Sequence, residues 1–429
     1  MSASSNPQST ALAPGGEPSD PAVPAAPVTA ADPVVERFSV VPLVALSLSV
    51  FALCSAEFAL IGLLLDVSSD MHVTVATAGQ LLSVYAFAVA IGGPVVTVLT
   101  ARMAPKKLAL ALLVAFALAN VLGALAPTFD TLMAARTIGA LTHSTFAAVS
   151  ILLAIRLSPP GRQASAIAWV AGGLGLATVL GGPLGTVIGE QWGWRATFWT
   201  VAGAAVVGVV AIGFLIPGGL GGGQKVLLRA EIGALGTSQV LWAMGITVVS
   251  QTGWFLLYSY ITPLLRHVTG FSAGVSAGML FVFGMGGFIG NALGGRFADK
   301  SLRGTLAAML ALLAAMLLLI GVGAGRPVPT IAAVLLIGLA SGALVPPLQA
   351  WALGAAGGGS TLVLAANTSA FNLGNAAGSW TGSRLLGSGT EVTTLAYVGA
   401  AIVVLSLIGM LIALRTRPAT AASPDGLSA

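Results

Sequence analysis

Three residues of this sequence could carry charge or a proton inside segments that are otherwise apolar: Glu57, Arg136 and His143. A carboxylate in hydrocarbon is expensive to bury and is therefore usually functional, and Glu57 lies inside the apolar run from Ser39 to Leu65. Arginine stays protonated and can pair with an acid or orient a solute, whereas histidine titrates near neutral pH. We predict that Glu57 couples proton binding to function, assisted by Arg136 and His143.

Other interpretations of these residues stay open. Glu57 could instead form a static ion pair with Arg136, or it could bind a cationic solute. His143 could simply make a hydrogen bond that packs one helix on another. Cys54 is the only cysteine, which excludes an intrachain disulfide and a cysteine-based metal site.

The elements that must position these residues are membrane-spanning helices. Of 429 residues, 56% are hydrophobic and 7% are charged, which is too apolar for a water-soluble core. A spanning helix needs about 20 apolar residues, whereas the strands of a β-barrel would alternate over about 10 residues. Long continuous runs exclude the barrel and predict twelve helices, helix 1 to helix 12, at roughly 39–65, 76–99, 107–127, 131–155, 164–189, 195–217, 237–260, 274–295, 304–324, 328–350, 362–387 and 391–414.

The basic residues predict the orientation. With the N-terminus inside, 13 of the 18 Lys and Arg residues fall on the cytoplasmic side, and only Arg195, Arg266 and Arg326 fall outside. We therefore expect both termini in the cytoplasm. The net charge of +5 reflects this asymmetry, and the absence of a basic cluster interleaved with aromatic residues argues against a nucleic-acid partner.

The predicted depths of the charged residues match. At about 1.5 Å of rise per residue, Glu57 lies roughly 10 Å below the outer end of helix 1, and Arg136 lies roughly 9 Å below the outer end of helix 4. Glu57 and Arg136 are therefore expected to meet. His143 follows Arg136 by close to two turns, so it shares that face of helix 4 nearer the midplane.

The chain divides into two similar halves. Leu, Arg and Lys at positions 99, 102 and 106 recur at 293, 296 and 300, and glycines four residues apart occur in both helix 5 and helix 11. The prediction is an all-α membrane protein with twelve transmembrane helices in two pseudo-symmetric six-helix halves. Its parts are a disordered tail 1–38, a first half 39–217, a linker 218–236, a second half 237–414 and a tail 415–429.

Short motifs follow one another through the first half: Ala56-Glu57-Phe58 with Gly62, Ser83 to Ala90 with Gly93-Pro94, Arg136 with Ala140 to His143, Gly181 to Thr186, and Gly193 to Phe198. With them the chain resembles the major facilitator superfamily, and within it the drug:proton antiporters that include bacterial sugar and chloramphenicol exporters. The resemblance covers residues 40 to 414. It implies the major facilitator fold and a bacterial inner membrane.

The resemblance also implies residues that switch the conformation. They are Arg102 in the loop after helix 2, Arg296 and Asp299 in the matching loop after helix 8, and Gly182 with Pro183 in helix 5. The first loop departs from the family pattern, because Ala101 and Ala104 stand where an acid and a glycine are usual.

These observations lead to a functional expectation. We expect a secondary transporter that exports a small, moderately hydrophobic solute in exchange for protons, most simply as a monomer in the bilayer. It would need no cofactor beyond the proton gradient. An uptake symporter or facilitator for a sugar or nucleoside-like solute is the alternative. An enzyme is not expected, because the histidines are scattered and no metal-ligand spacing occurs.

The solute should bind between the halves near the membrane midplane. Polar and aromatic side chains that lipid does not favour are the candidates for this cavity: Tyr85, Phe146, Gln251, Trp254, Tyr258, Asn367, Phe371 and Asn375.

Overall fold

The computed structural model of the chain describes residues 40–100, 102–159, 163–218, 236–356 and 361–415. Within these residues twelve long helices follow the twelve predicted segments in order. The predicted tails and linker lie outside the described residues, except at their edges. The helices α1 to α12 are Val41–Gly62, Val75–Thr100, Pro105–Ala124, Phe129–Arg156, Gln163–Trp192, Trp194–Leu215, Ser238–Tyr258, Ala273–Lys300, Leu302–Gly323, Pro327–Ala355, Thr361–Gly387 and Thr394–Arg415.

Eleven of the described helices are long and apolar enough to cross a membrane. The remaining one, α11, has a comparable length of 27 residues but a more polar sequence. It packs between α2 and α7 inside the bundle, where its polar groups can be covered by protein. The chain is therefore an all-α, multi-pass membrane protein. We call the end where α1 ends and α2 begins the outer end, following the predicted orientation, and the opposite end the inner end.

The end of α7 differs from the prediction. Helix 7 was expected to stop near residue 260, but after Tyr258 the chain bends and continues through Ile261–Pro263 into a π-helical turn, Leu264–Val268. Pro263 cannot donate a backbone hydrogen bond, which favours an interruption here. π-helical turns are rare and often occur at functional positions.

Each half is held together by the glycines that the sequence shows four residues apart. In the first half Gly181 and Gly185 of α5 lie directly against Ser55 and Ala59 of α1, and Gly189 lies against Leu63, which follows α1. In the second half Gly374, Gly378 and Gly382 of α11 lie against α7 in the same way. Small residues allow close approach of membrane helices, and these six glycines fix helices within each half.

The two halves are joined at the outer end by hydroxyl groups of the second half that donate to backbone carbonyls of the first half. The pairs are Thr262 Oγ1 to Ile61 O (2.9 Å), Ser379 Oγ to Gly79 O (3.0 Å) and Ser383 Oγ to Ala76 O (2.7 Å). We call these three hydrogen bonds the outer seal. Between described residues, the hydrogen bonds that join the halves all belong to it.

Tyr260 occupies the centre of the outer seal. Its hydroxyl donates to the carbonyl oxygen of Ser379 at 3.1 Å, and its ring lies directly against Gly79 of α2 and Gly382 of α11. Any side chain at Gly79 would overlap the ring of Tyr260. The bend in α7 is what brings this residue to the seal.

The halves also touch where α5 meets α8, near Gly182 and Leu280 and again at Gly284, which lies against the carbonyl of Thr178. Nearer the inner end, α2 is exposed on nearly all sides from Pro94 to Leu99, and Trp169 of α5 and Phe297 of α8 are exposed as well. The described conformation is thus closed at the outer end and open at the inner end.

We expect Gly79→Ala to weaken the outer seal, because the added methyl group must displace Tyr260. Spin labels at Thr74 and Ser388, in a Cys54→Ser background, should report a longer distance across the outer end. Gly245→Ala is the matched control, since a Cβ there meets nothing within 4 Å. An unchanged distance in folded Gly79→Ala protein would contradict the packing argument.

Candidate functional site

Glu57 lies on α1 where the two halves face each other. It is half-buried, and its carboxylate makes no hydrogen bond to any residue that the structure describes. It is within electrostatic range of Arg136 in the first half and of Tyr258 in the second half. The carboxylate is therefore placed to respond to movement of one half against the other.

Arg136 is almost completely buried, and its side chain is held beside Glu57 without binding it directly. Its Nη1 donates to the backbone carbonyl of Ala56 at 2.9 Å, and its guanidinium lies 4.1 Å from the centre of the Tyr85 ring. Nε and Nη2 have no acceptor among the described residues. The two charges are thus neighbours, but the static ion pair is not formed in this conformation.

His143 completes a small network below Arg136. Its Nδ1 is 2.9 Å from the hydroxyl of Tyr85, and its Nε2 is 3.6 Å from the sulfur of Cys54. The rings of Tyr85 and His143 meet edge to face, with centres 5.9 Å apart. Tyr85 therefore links the guanidinium of Arg136 to the imidazole of His143, a link that was not predicted from the sequence.

Aromatic residues of α7 and α8 form the opposite wall. The ring of Phe283 stacks on Tyr258 at 4.0 Å and on Trp254 at 5.7 Å between centres. Trp254 Nε1 donates to Gln251 Oε1 at 2.8 Å. Three predicted solute contacts, Gln251, Trp254 and Tyr258, are thus brought together in one buried cluster on the second half.

Other predicted solute contacts are placed differently. Phe146 is completely buried in the core of the first half, so its ring packs α4 on its neighbours and does not face the second half. Asn367 is also completely buried, and its Oδ1 accepts a hydrogen bond from Thr247 at 3.0 Å, which bridges α7 and α11. Phe371 and Asn375 are half-buried on α11.

The predicted switch residues divide into two groups. Gly182 lies at the contact of α5 with Leu280 of α8, and Pro183 follows it within α5. Arg102, Arg296 and Asp299 are exposed at the inner end and make no hydrogen bond or ion pair with described residues. These charges are therefore apart in the conformation that is open at that end.

The sequence analysis missed an ion pair at the outer end. Arg195 Nη1 donates to Asp70 Oδ2 at 2.5 Å, and Trp194 Nε1 donates to the same oxygen at 3.1 Å. These hydrogen bonds lower the pKa of Asp70. The motif from Gly193 to Phe198 was the available signal, because it places an arginine and a tryptophan where α6 begins.

A second acid at the outer end, Asp66, faces the second half. Asp66 lies in the short helix Leu64–Asp70, outside the spanning helices, and is half-buried. Burial raises the pKa of Asp66 above its ordinary value of 3.8, and the nearby Arg266 of the second half opposes this effect. Glu190, at the end of α5, is also within electrostatic range of both.

Comparison with known proteins agrees with this architecture. A family model described as Major Facilitator Superfamily matches residues 46–379. The chain is 35% identical over 379 residues to the inner membrane transport protein YdhP of Escherichia coli (strain K12), covering 88% of this chain and 97% of that protein. It is 33% identical over 359 residues to a chloramphenicol resistance protein of Streptomyces lividans, covering 81% and 90%.

Among solved structures, a D-xylose-proton symporter aligns with a TM-score of 0.69 at 13% identity, covering 87% of this chain and 97% of that one. At this identity the likeness concerns the fold alone.

The raised pKa of Asp66 predicts a pH dependence of the outer seal. A carboxyl group with a raised pKa stabilises this conformation when protonated, so the contribution is complete below pH 3.8 and is lost as the pH rises through the raised pKa. We expect acidification to shorten the mean distance between spin labels at Thr74 and Ser388. Asp66→Asn should remove this response, whereas Asp130→Asn, at an exposed acid, should leave it. A response that persists in Asp66→Asn would exclude Asp66 as its source.

Proposed function

This chain belongs to the Major Facilitator Superfamily, and from that premise we propose that it exports a small, moderately hydrophobic solute in exchange for protons by alternating access. The protein is a membrane transporter and not an enzyme, because the family and the relatives that it matches are transporters. The exchange of solute for protons, and the export direction, are the parts that we propose.

The observation that carries the proposal is the state of Glu57. It is a carboxylate within a membrane span, half-buried between the halves, with no hydrogen-bond partner among the described residues. A carboxylate that is committed to a direct ion pair would resist protonation, whereas an unpaired one is available to protons. Protonation removes its charge, so conformations that bury Glu57 to different extents differ in their affinity for a proton. That difference couples the proton to the conformation.

Arg136 and His143 support this role in different ways. Arg136 is bonded to Ala56, the residue next to Glu57, so it holds a fixed positive charge near the carboxylate in each protonation state. His143 is connected through Tyr85 to the same charge and offers a second proton-binding group. We propose that Arg136 positions α1 and adjusts the proton affinity of Glu57. We propose further that His143 relays protons.

The solute would bind opposite Glu57, against the aromatic cluster of Trp254, Tyr258 and Phe283. An apolar, aromatic wall with a single acid suits a neutral or weakly cationic solute. The similarity to a chloramphenicol resistance protein supports export and makes chloramphenicol the first solute to test.

The proposed direction also rests on orientation. With both termini in the cytoplasm, the described conformation is open to the cytoplasm and closed to the outside, which is the form that an exporter loads. Outward opening would then require the outer seal to separate while the loop residues Arg102, Arg296 and Asp299 come together at the inner end.

The proton coupling can be tested in everted membrane vesicles with an acidic interior. We expect chloramphenicol to accumulate inside and Glu57→Gln to reduce accumulation to the level seen with a protonophore, because glutamine cannot bind a proton. Solute binding by purified Glu57→Gln should remain measurable. Glu391→Gln, the same change at an exposed acid of the outer end, is the control and should behave as wild type.

Undiminished gradient-driven transport by Glu57→Gln would refute its assignment. Accumulation in right-side-out vesicles, driven by an inward proton gradient, would favour the uptake symporter instead.

The orientation has a separate test. A reporter enzyme fused after Gly222, between α6 and α7, should be active only in the cytoplasm, because basic residues concentrate on that side. Activity outside the cell would show that the bundle has the opposite orientation, and the proposed direction of transport would then be wrong.

A further inference from the structure

α11 is more polar than its position in a membrane would suggest. Among the described long helices, it is the one that does not reach the apolarity of a membrane span. Lipid does not accept amide and hydroxyl groups readily, so its polar side chains must face protein or water. Those with described side chains are the hydroxyl and amide residues Asn367, Thr368, Ser369, Asn372, Asn375, Ser379, Thr381 and Ser383, together with Arg384.

Helical geometry sorts these residues by direction. Because each residue turns the helix by about 100°, five of the eight hydroxyl and amide residues, Thr368, Asn372, Asn375, Ser379 and Ser383, project within a sector roughly 80° wide. Ser369 lies about 40° beyond the edge of the sector, and Thr381 and Asn367 point away from it, Asn367 towards Thr247 of α7. The direction of the sector is fixed at the outer end, where Ser379 and Ser383 donate to carbonyls of α2. The five residues therefore point from α11 towards the first half.

Nearer the inner end, the same direction leads from α11 towards the inner part of α2, where Pro94, Val95 and Thr97 to Leu99 are exposed. There Thr368 is exposed, and Asn372 and Asn375 are half-buried. The amide of Asn372 donates only back to its own helix, to the carbonyl of Thr368 at 3.0 Å. Oδ1 of Asn375 has no donor among the described residues, although it is buried. We call these three residues the polar strip.

We propose that the polar strip, Thr368, Asn372 and Asn375, contacts the solute and selects neutral molecules that carry hydroxyl, carbonyl or amide groups beside an aromatic or apolar body. This inference rests on the proposed transport function and adds a solute class to it. The strip offers donors and acceptors without charge. A site built to hydrogen-bond a solute rejects an analogue without such groups, because its own polar atoms are then left unpaired.

The remaining contacts fit this class. The aromatic cluster of Trp254, Tyr258 and Phe283 gives an apolar surface on the same half. Hydrogen-bonding groups of the solute would then lie towards α11, while Glu57 stays available to protons.

The placement of the strip can be tested without knowing the solute. Cys54 is the only cysteine, so Cys54→Ser gives a cysteine-free background for Thr368→Cys and Asn372→Cys. In everted vesicles a charged, membrane-impermeant thiol reagent should modify both at least about tenfold faster than Leu373→Cys, since the reactive thiolate needs water. Leu373 is the matched control because it is exposed but points about 100° away from Asn372. Equal rates at the three positions would overturn the inference.

The selectivity is tested with two aromatic solutes, thiamphenicol, a neutral amide diol, and tetraphenylphosphonium, a cation without hydrogen-bonding groups. We expect the wild-type protein to transport thiamphenicol in preference to tetraphenylphosphonium. Asn372→Leu should reduce thiamphenicol transport about tenfold or more, whereas Asn372→Gln should retain part of that transport. Preferential transport of tetraphenylphosphonium, transport of neither solute, or an unaffected Asn372→Leu would overturn the inference.

Failure of the proposed proton-driven export would be seen separately. Selective transport of thiamphenicol that ignores the proton gradient would support the polar strip and refute the proton coupling.

Discussion

The structure depends on one constraint: a carboxylate in a membrane span must be kept from lipid without being neutralised permanently. Glu57 meets it by lying between the halves, with Arg136 close enough to act electrostatically but bonded to the carbonyl of Ala56. A buried ion pair is costly to break, because each partner is then left as an uncompensated charge. A guanidinium held by a carbonyl and by the face of Tyr85 supplies positive potential without forming such a pair.

The strength of packing is distributed in a way that suits two conformations. Within each half, glycines bring α5 against α1 and α11 against α7 at backbone distance, and such contacts cannot loosen gradually. Between the halves, the outer seal consists of hydroxyl-to-carbonyl hydrogen bonds, each worth about 1 kcal/mol net. Separating the halves at the outer end exchanges these bonds for bonds to water. Rigid halves joined by a neutral seal suit the alternating access that we propose.

The sequence predicts the depth of a residue in the membrane better than the face of the helix on which its side chain lies. The twelve spans follow from run length, and the structure confirms them. The rise per residue places Glu57 and Arg136 at matching depths, and the two side chains are neighbours in the structure, whereas the contacts of Tyr85 with Arg136 and His143 were not predicted. Phe146 follows Arg136 by ten residues, which turns it roughly 80° around α4 and into the core. The bend after Tyr258 could not be anticipated, because Pro263 lies five residues beyond it and the intervening Tyr260 gains its role only from Gly79 and Gly382.

α11 shows why polarity and conformational change belong together in this bundle. One side of this helix faces α2, and in the described conformation its outer part is bonded to α2 through Ser379 and Ser383. A surface that is alternately dry and wet cannot be wholly apolar, because opening would then expose hydrocarbon to water. It cannot be charged either, because closing would bury the charge. Serine, threonine and asparagine avoid both problems, since they bond to backbone carbonyls when the helices meet and to water or solute when they part. We therefore infer that the low apolarity of α11 marks the interface that moves in the proposed transport cycle.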